Sequence, residues 1–311
     1  MTSNYPEPLV VPPLRSHQYT FIILHGRGSN ATIFSDVLLS TPISLPQGDE
    51  DQECTLASVF PNAKFVFPTA SKRRAMVYKR SIINQWFDNW TLADSTRPPM
   101  TVQERQDREY LPVEGLRETT AYIHELLRRE IELVGGNAKN VFLGGLSQGC
   151  AASLVSLLLW EGDPLGAAFG MCGWLPFQKQ MEDVAREIDT EGDGKVEGED
   201  FNPFEDSNED ADDGDAQTSH DSPPARAIAH LKETLEMPSE RPSSSHLPFQ
   251  DIPLFLGHGV EDEKVPLCFG RDAASCMKAM GMEVTWKEYA GLEHWYSEDM
   301  LGDLVSSCRK K

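Results

Sequence analysis

Two kinds of hydrophobic pattern alternate along the chain. Short, nearly continuous apolar runs occur at "YTFIILHG" (19–26), "KFVFPT" (64–69), "NVFLGGLS" (140–147), "LGAAFGMCGWL" (165–175), "IPLFLGHG" (252–259) and "MEVTWKEYAG" (282–291). Runs of that length, rich in β-branched and aromatic residues, read as strands buried on both faces. Between them lie stretches with helical spacing. "GLRETTAYIHELLRREIELVGG" ends on two glycines suited to a C-cap, and "PLCFGRDAASCMKAMG" opens on Pro266 and closes on Gly281. "SEDMLGDLVSSCRK" opens on a serine and two acids and then runs amphipathic. Strands alternating with helices predict an α/β domain, a mostly parallel central sheet covered by helices on both faces.

One stretch breaks the alternation. From about Gln178 to Gln250 the chain is acidic, then rich in Ser and Pro. Such a composition buries too little apolar surface to offset its ordering entropy. The expectation is one domain over residues 1–311 with a partly disordered insertion at 178–250, in which "ARAIAHLKETLEM" could form one short helix. Between Glu182 and Asp221 there are 17 acidic and two basic residues, so this segment carries −15 of the chain's net charge of −21. The acidity belongs to the segment and excludes nucleic acid or an anionic membrane as the main partner. The longest aliphatic stretches, such as "SLVSLLLW", are too short to span a bilayer, so no stable membrane insertion is expected. The N-terminus has no basic head followed by an apolar core, and the six cysteines lack metal-like or framework spacing. Both features point to a cytoplasmic protein with reduced thiols.

The candidate chemistry centres on "VFLGGLSQGCAASL" (141–154), where an apolar strand meets Gly145, Ser147 and Gly149 and then a buried helical pattern. G-x-S-x-G between a strand and a helix is the nucleophile elbow, a turn too tight for bulk at its flanks that lifts the serine hydroxyl clear of the sheet edge. A serine needs a base and an orienting acid. Asp262 follows the strand "LFLGHG" and His294 follows the next strand, in the order Ser, acid, His that this arrangement requires. The C-terminal ends of parallel strands share one edge, so the three side chains can converge there. The oxyanion hole requires two backbone N–H groups: one from Gln148, after the nucleophile, and one from Arg27 in "LHGRGSNA", where Gly26 and Gly28 allow close approach. "GRGSNA" also matches a G-x-G-x-x-A nucleotide fingerprint, but no clear second strand ends in an acid about 20 positions on.

Together, "LHGRGSN", "GLSQG", "HGVEDEKVP" and "GLEHW" resemble the acyl-protein thioesterase or phospholipase/carboxylesterase family of α/β-hydrolases over residues 19–175 and 250–308. The resemblance implies an α/β-hydrolase fold and a cofactor-free serine hydrolase. Its substrates would be acyl esters or thioesters, on small molecules or lipidated proteins. It implies Ser147, Asp262 and His294 as the triad and Arg27 and Gln148 as the oxyanion donors. "QWFDNW" (85–90) resembles the family's W-F-D segment near the active site, so Trp86 and Phe87, with Trp295 beside the histidine, are expected to bind substrate. Two features depart from the family. Arg27 stands where close relatives of the mammalian enzymes carry an apolar residue. The stretch before W-F-D carries Lys72, Arg73, Arg74, Lys79 and Arg80, which is cationic for a lipid groove. An acyltransferase with the same triad is the nearest alternative, and a non-catalytic or calcium-regulated binding protein on a hydrolase fold is the other. The calcium reading rests on "DTEGDGKVEGED", where Asp189, Glu191, Asp193, Glu197 and Asp200 resemble an EF-hand loop that "QMEDVAREI" could enter as a helix. Asp200 is one methylene shorter than the usual bidentate glutamate and Pro203 blocks the exiting helix, so the loop reads as solvated and no metal is expected.

Overall fold

A computed structural model describes residues 5–44, 54–90, 92, 101–104, 110–186, 222–238 and 246–309. The six predicted strands form as β2 (Tyr19–Leu24), β3 (Ala63–Phe67), β6 (Val141–Leu146), β7 (Ala167–Met171), β8 (Leu254–Gly259) and β9 (Val284–Tyr289). They pair in parallel, and a short strand β1 (Leu9–Val11) adds antiparallel to β3, giving the order β1-β3-β2-β6-β7-β8-β9. A hairpin of β4 (Lys72–Ala75) and β5 (Ser81–Asn84) stands apart from this sheet.

Successive side chains of a strand point to opposite faces, and both faces are covered here. In β2, Phe21 and Ile23 join a core with Phe65, Phe67, Phe142 and Phe169, capped by the helices Ala31–Ser40 and Glu298–Cys308. Ile22 and Leu24 join the other core with Leu143, under the helices Val113–Leu133, Gln148–Leu158 and Leu267–Ala279. This is why the central strands read as continuous apolar runs. Every residue of β6 and of the helix after it is buried.

The stretch 178–250 is not uniform, which corrects the expected insertion boundaries. Its two ends are helices, Gln178–Arg186 and Pro223–Thr234, and both belong to the packed body. Met181 and Ala185 share a core with Ala227, Ile228, Leu231 and Leu235, all at most 3% exposed. Arg226 donates to the Ala185 carbonyl (2.7 Å) near a helix C-terminus, and Lys232 pairs with Glu161 (2.5 Å). The apolar positions at helical spacing in "AIAHLKETL" thus outweigh the Ser/Pro-rich composition around them. The EF-hand-like residues Asp189, Glu191, Asp193, Glu197 and Asp200 lie outside the described residues. Among the described residues, no helix is long and apolar enough to cross a membrane.

Because Leu231 is fully buried, Leu231→Ala is expected to destabilise the protein by about 2–5 kcal/mol, as buried leucine truncations do. Urea unfolding of the variant checks this; an unchanged midpoint would mean that the helix is not part of the core.

Candidate active site

The strand β6 ends at Leu146, and Ser147 is the hinge into the next helix, with φ 57° and ψ −119°. Such a backbone is costly for a residue with a side chain and persists only where the surroundings enforce it. They do so by contact. A β-carbon at Gly145 would stand 2.6 Å from the Gly149 carbonyl carbon, and one at Gly149 would stand 2.4 Å from the Leu24 oxygen. The Ser147 N–H donates to Met171 O (2.8 Å), which ties the elbow to the end of β7.

Ser147, Asp262 and His294 lie on loops at the C-terminal ends of β6, β8 and β9. Ser147 Oγ is 2.8 Å from His294 Nε2, and His294 Nδ1 is 2.7 Å from Asp262 Oδ2. A carboxylate can only accept, so Nδ1 carries the proton and Nε2 is left to accept from the serine hydroxyl. The side chain of Asp262 is fully buried. Burial works against its charge, but hydrogen bonds from His258, His294 and the Val265 N–H outweigh it and hold the carboxyl well below its usual pKa. Its Oδ1 accepts from the N–H groups of Lys264 and Val265, both at 2.9 Å. His258, not singled out from the sequence, sits with Nε2 2.9 Å from Val265 O and 3.3 Å from Asp262 Oδ2.

Among the described residues, one cluster of His, Cys and acidic side chains gathers three ligand atoms within 4.8 Å, and it is Cys172 with the same Asp262 and His294. The Cys172 thiol donates to Trp295 O (3.1 Å), and burial, aided by Asp262, pushes its pKa up to about 12. A protonated thiol beside an engaged carboxylate and imidazole suits positioning and not metal binding.

The structure lays the Arg27 loop over the serine: a β-carbon built on Gly26 would stand 3.5 Å from that of Ser147. Gly28, at φ 79°, supplies the left-handed turn, and its N–H donates to Asn84 O (2.8 Å). Gln148 opens the helix, where backbone N–H groups have no partner within the helix. A cavity of about 420 Å³ lies over these residues, lined by Arg27, Ser147, Gln148 and His294 and by Tyr78, Asn89, Trp90, Trp174, Lys264 and Trp295.

Trp86 does not reach the cavity. Trp86 and Phe87 are 0% and 1% exposed and absent from the lining of this cavity, but Phe87 lines the adjoining cleft that shares Asn89, Trp90 and Trp174 with it. Trp86 Nε1 donates to His25 O (2.8 Å), and its N–H donates to Gln148 Oε1 (3.0 Å). Gln148 Nε2 in turn donates to Phe87 O (2.7 Å) and Asn89 Oδ1 (3.1 Å). The aromatic pair is therefore scaffolding behind both predicted oxyanion residues. Its neighbours Asn89 and Trp90 face the cavity, and nothing in their residue types alone separated them from Trp86 and Phe87. Trp295, 42% exposed, does line it.

This geometry agrees with what the chain resembles. A profile of the phospholipase/carboxylesterase family matches residues 6–191 and 217–311, and the chain belongs to that family of α/β-hydrolases. The unmatched stretch between them lies inside the acidic segment. Acyl-protein thioesterase 1 of Gibberella zeae is 22% identical over 311 residues, covering 100% of this chain and 98% of that protein. Acyl-protein thioesterase 1 of Yarrowia lipolytica is 27% identical over 304 residues, covering 97% and 96%. The fold is similar to the crystal structure of Zea mays acyl-protein thioesterase 2, with a TM-score of 0.59 at 21% identity over 97% of each chain. The protein is thus a serine hydrolase of the α/β-hydrolase fold.

His25 connects this site to stability. It is fully buried, its Nε2 accepts from the Ala70 N–H (3.0 Å), and its Nδ1 therefore donates to Gly26 O (2.7 Å). Burial lowers its pKa from 6.5 to about 4. The folded state thus binds fewer protons than the unfolded chain between those values. His25 stabilises the fold fully above pH 6.5. That stability falls by up to about 1.4 kcal/mol per pH unit down to pH 4. Urea unfolding between pH 7 and pH 4 is expected to show this loss, with a smaller pH slope in His25→Gln. Equal slopes in the two proteins would mean that another group sets the acid sensitivity.

Proposed function

We propose that this serine ester or thioester hydrolase works through Ser147, His294 and Asp262 by way of an acyl-enzyme. The observation that carries the proposal is the unbroken array from Ser147 Oγ through His294 to Asp262, at 2.8 and 2.7 Å, on three strand ends. His294 Nε2 takes the serine proton as Oγ attacks the acyl carbonyl, and Asp262 stabilises the imidazolium that results. The N–H groups of Arg27 and Gln148 receive the charge that develops on the carbonyl oxygen. The imidazolium protonates the departing alcohol or thiol. A water activated by the same histidine then releases the acid.

The acyl part has room beyond the serine. The catalytic cavity shares Asn89, Trp90, Leu92 and Trp174 with a second cleft of about 720 Å³ that continues along Leu175, Phe177 and Phe269. An aliphatic chain laid along these side chains exchanges water for apolar contact. The acyl-protein thioesterases among its relatives make acylated small molecules or proteins the natural substrates to test. The six cysteines are all free thiols, which suits a reducing compartment such as the cytoplasm.

Ser147→Ala is expected to fold normally and to lose fluorophosphonate labelling, with turnover of aryl esters falling roughly 10⁴-fold or more, since triad members act as a unit. Labelling of the variant at the wild-type rate would place the nucleophile elsewhere. The oxyanion donor on the early loop is tested by comparing Arg27→Pro with Arg27→Ala. Both lose the guanidinium, but only proline loses the N–H. Turnover is expected to be about 10²- to 10³-fold lower in the proline variant, the usual cost of one lost donor. Equal rates in two variants shown by circular dichroism to be folded would move that donor to another residue.

A further inference from the structure

Arg27 brings more than a backbone N–H to the cavity. Its side chain is half-buried beside the catalytic serine, and its guanidinium donates to Asn89 Oδ1. That acceptor is a neutral amide, and the same oxygen also receives Gln148 Nε2 at 3.1 Å. Among the described residues no carboxylate lies within ion-pairing distance of Arg27, whereas Arg73, Arg117 and Arg271 are each paired with a glutamate. The Tyr78 phenol also hydrogen-bonds it, and Asp88 acts on it from a distance rather than in contact, its two oxygens sharing the Met76 N–H (3.2 and 3.1 Å). Arg27 Nε is buried and has no hydrogen-bond partner. A second cation, Lys264, lines the same cavity, next to Glu263.

A partly desolvated guanidinium without a counter-ion is unfavourable unless something that binds there supplies one. Asn89 fixes its position without neutralising it. Resting on the hydrolase reading of the site, we propose that Arg27 recognises a carboxylate on the substrate, so that the preferred acyl ester or thioester is anionic. A guanidinium presents paired N–H donors that match a carboxylate in geometry and in charge. The charged side chains lining the cavity, Arg27, Lys264 and Glu263, sum to a single positive charge, which one carboxylate balances and a dianionic phosphate exceeds. The carboxylate can stand on the acyl part or on the leaving group.

Two pairs of esters separate these sources. The mono-4-nitrophenyl ester of adipic acid against 4-nitrophenyl heptanoate places the charge on the acyl side. Butyrate esters of 4-hydroxybenzoate and of its uncharged amide place it on the leaving group. In one of the pairs the wild-type protein is expected to favour the carboxylate by roughly 10- to 100-fold in kcat/KM, the range of a hydrogen bond to a charged group. The preference shrinks as salt is added. Arg27→Ala is expected to abolish it, Arg27→Lys to keep part of it, and Asn89→Asp to abolish it while the arginine stays in place, by supplying an internal counter-ion. A wild-type protein with no preference in either pair, or a preference that survives Arg27→Ala, overturns the proposal. Calorimetric titration of Ser147→Ala protein with the same four compounds reads the anion preference without turnover. A chain that hydrolyses none of them would thus fail as a hydrolase while its binding ratio still decides the role of Arg27.

Discussion

The proposed catalytic site depends on a backbone that cannot relax at Ser147. A non-glycine residue at φ 57° and ψ −119° gains nothing locally from that conformation. It is kept there because the β2 strand, the elbow and the following helix approach one another so closely that only hydrogen atoms fit at Gly145 and Gly149. Those contacts are backbone against backbone, so the neighbours cannot yield by changing a rotamer. The strain is offset by the core, where β6 and the helix Gln148–Leu158 are buried along their whole length. Gln148 follows Ser147 directly as the first residue of that helix, so the proposed nucleophile and one proposed oxyanion donor share one constraint.

A second set of contacts joins elements that are distant in sequence. Residues 86–89 run behind the cavity, and their polar atoms are used on both sides of it. Trp86 Nε1 holds His25 O in the Arg27 loop, while Trp86 N, Phe87 O and Asn89 Oδ1 hold the Gln148 amide. Asn89 Oδ1 also takes the Arg27 guanidinium. The two residues assigned as oxyanion donors are thus cross-braced through one asparagine oxygen. Neutral His25, donating to Gly26 O and accepting from Ala70 N, completes the frame from the far side. Preorganised donors serve catalysis because they need no reorganisation when charge appears.

The strands, the elbow and the order of Ser, Asp and His were legible because each is written in local pattern. Apolar runs give buried strands, and small residues at fixed offsets give the tight turn. The edge strand Leu9–Val11 and the hairpin at residues 72–84 were not legible, since neither carries a continuous apolar run. The helix Pro223–Thr234 was noticed, but its membership of the core was not. A count of acids, serines and prolines over a long window hides Ile228 and Leu231 at helical spacing. Trp86 shows a different failure. Nearness to a site in sequence says nothing about which side of the backbone faces a cavity, and here Trp86 faces the core, Phe87 lines the adjoining cleft, and Asn89 and Trp90 face the cavity. His258 and Cys172 could not be found without coordinates, because their roles arise from how the loop after β8 folds back on His258 and how the loop after β9 meets Cys172.

The two charges of the site are balanced in opposite ways, and the difference matches their tasks. Asp262 is buried and saturated: His294, His258 and two backbone N–H groups surround it, and its depressed pKa keeps it ionised. In the proposed mechanism, the imidazolium formed when His294 takes the serine proton meets a carboxylate already in place, and that half of the site stays electrically closed. The tetrahedral oxyanion has no such internal partner. It is a charge that appears, in that mechanism, without a counter-ion. The residue proposed to aim its N–H at it also carries a guanidinium that is bonded to the Asn89 oxygen and the Tyr78 phenol and, among the described residues, touches no carboxylate. In a cavity walled by Trp90 and Trp174, a positive charge that no described carboxylate touches acts on whatever negative charge arrives or forms there. An apolar side chain at position 27 would have kept the backbone donor and given up that field.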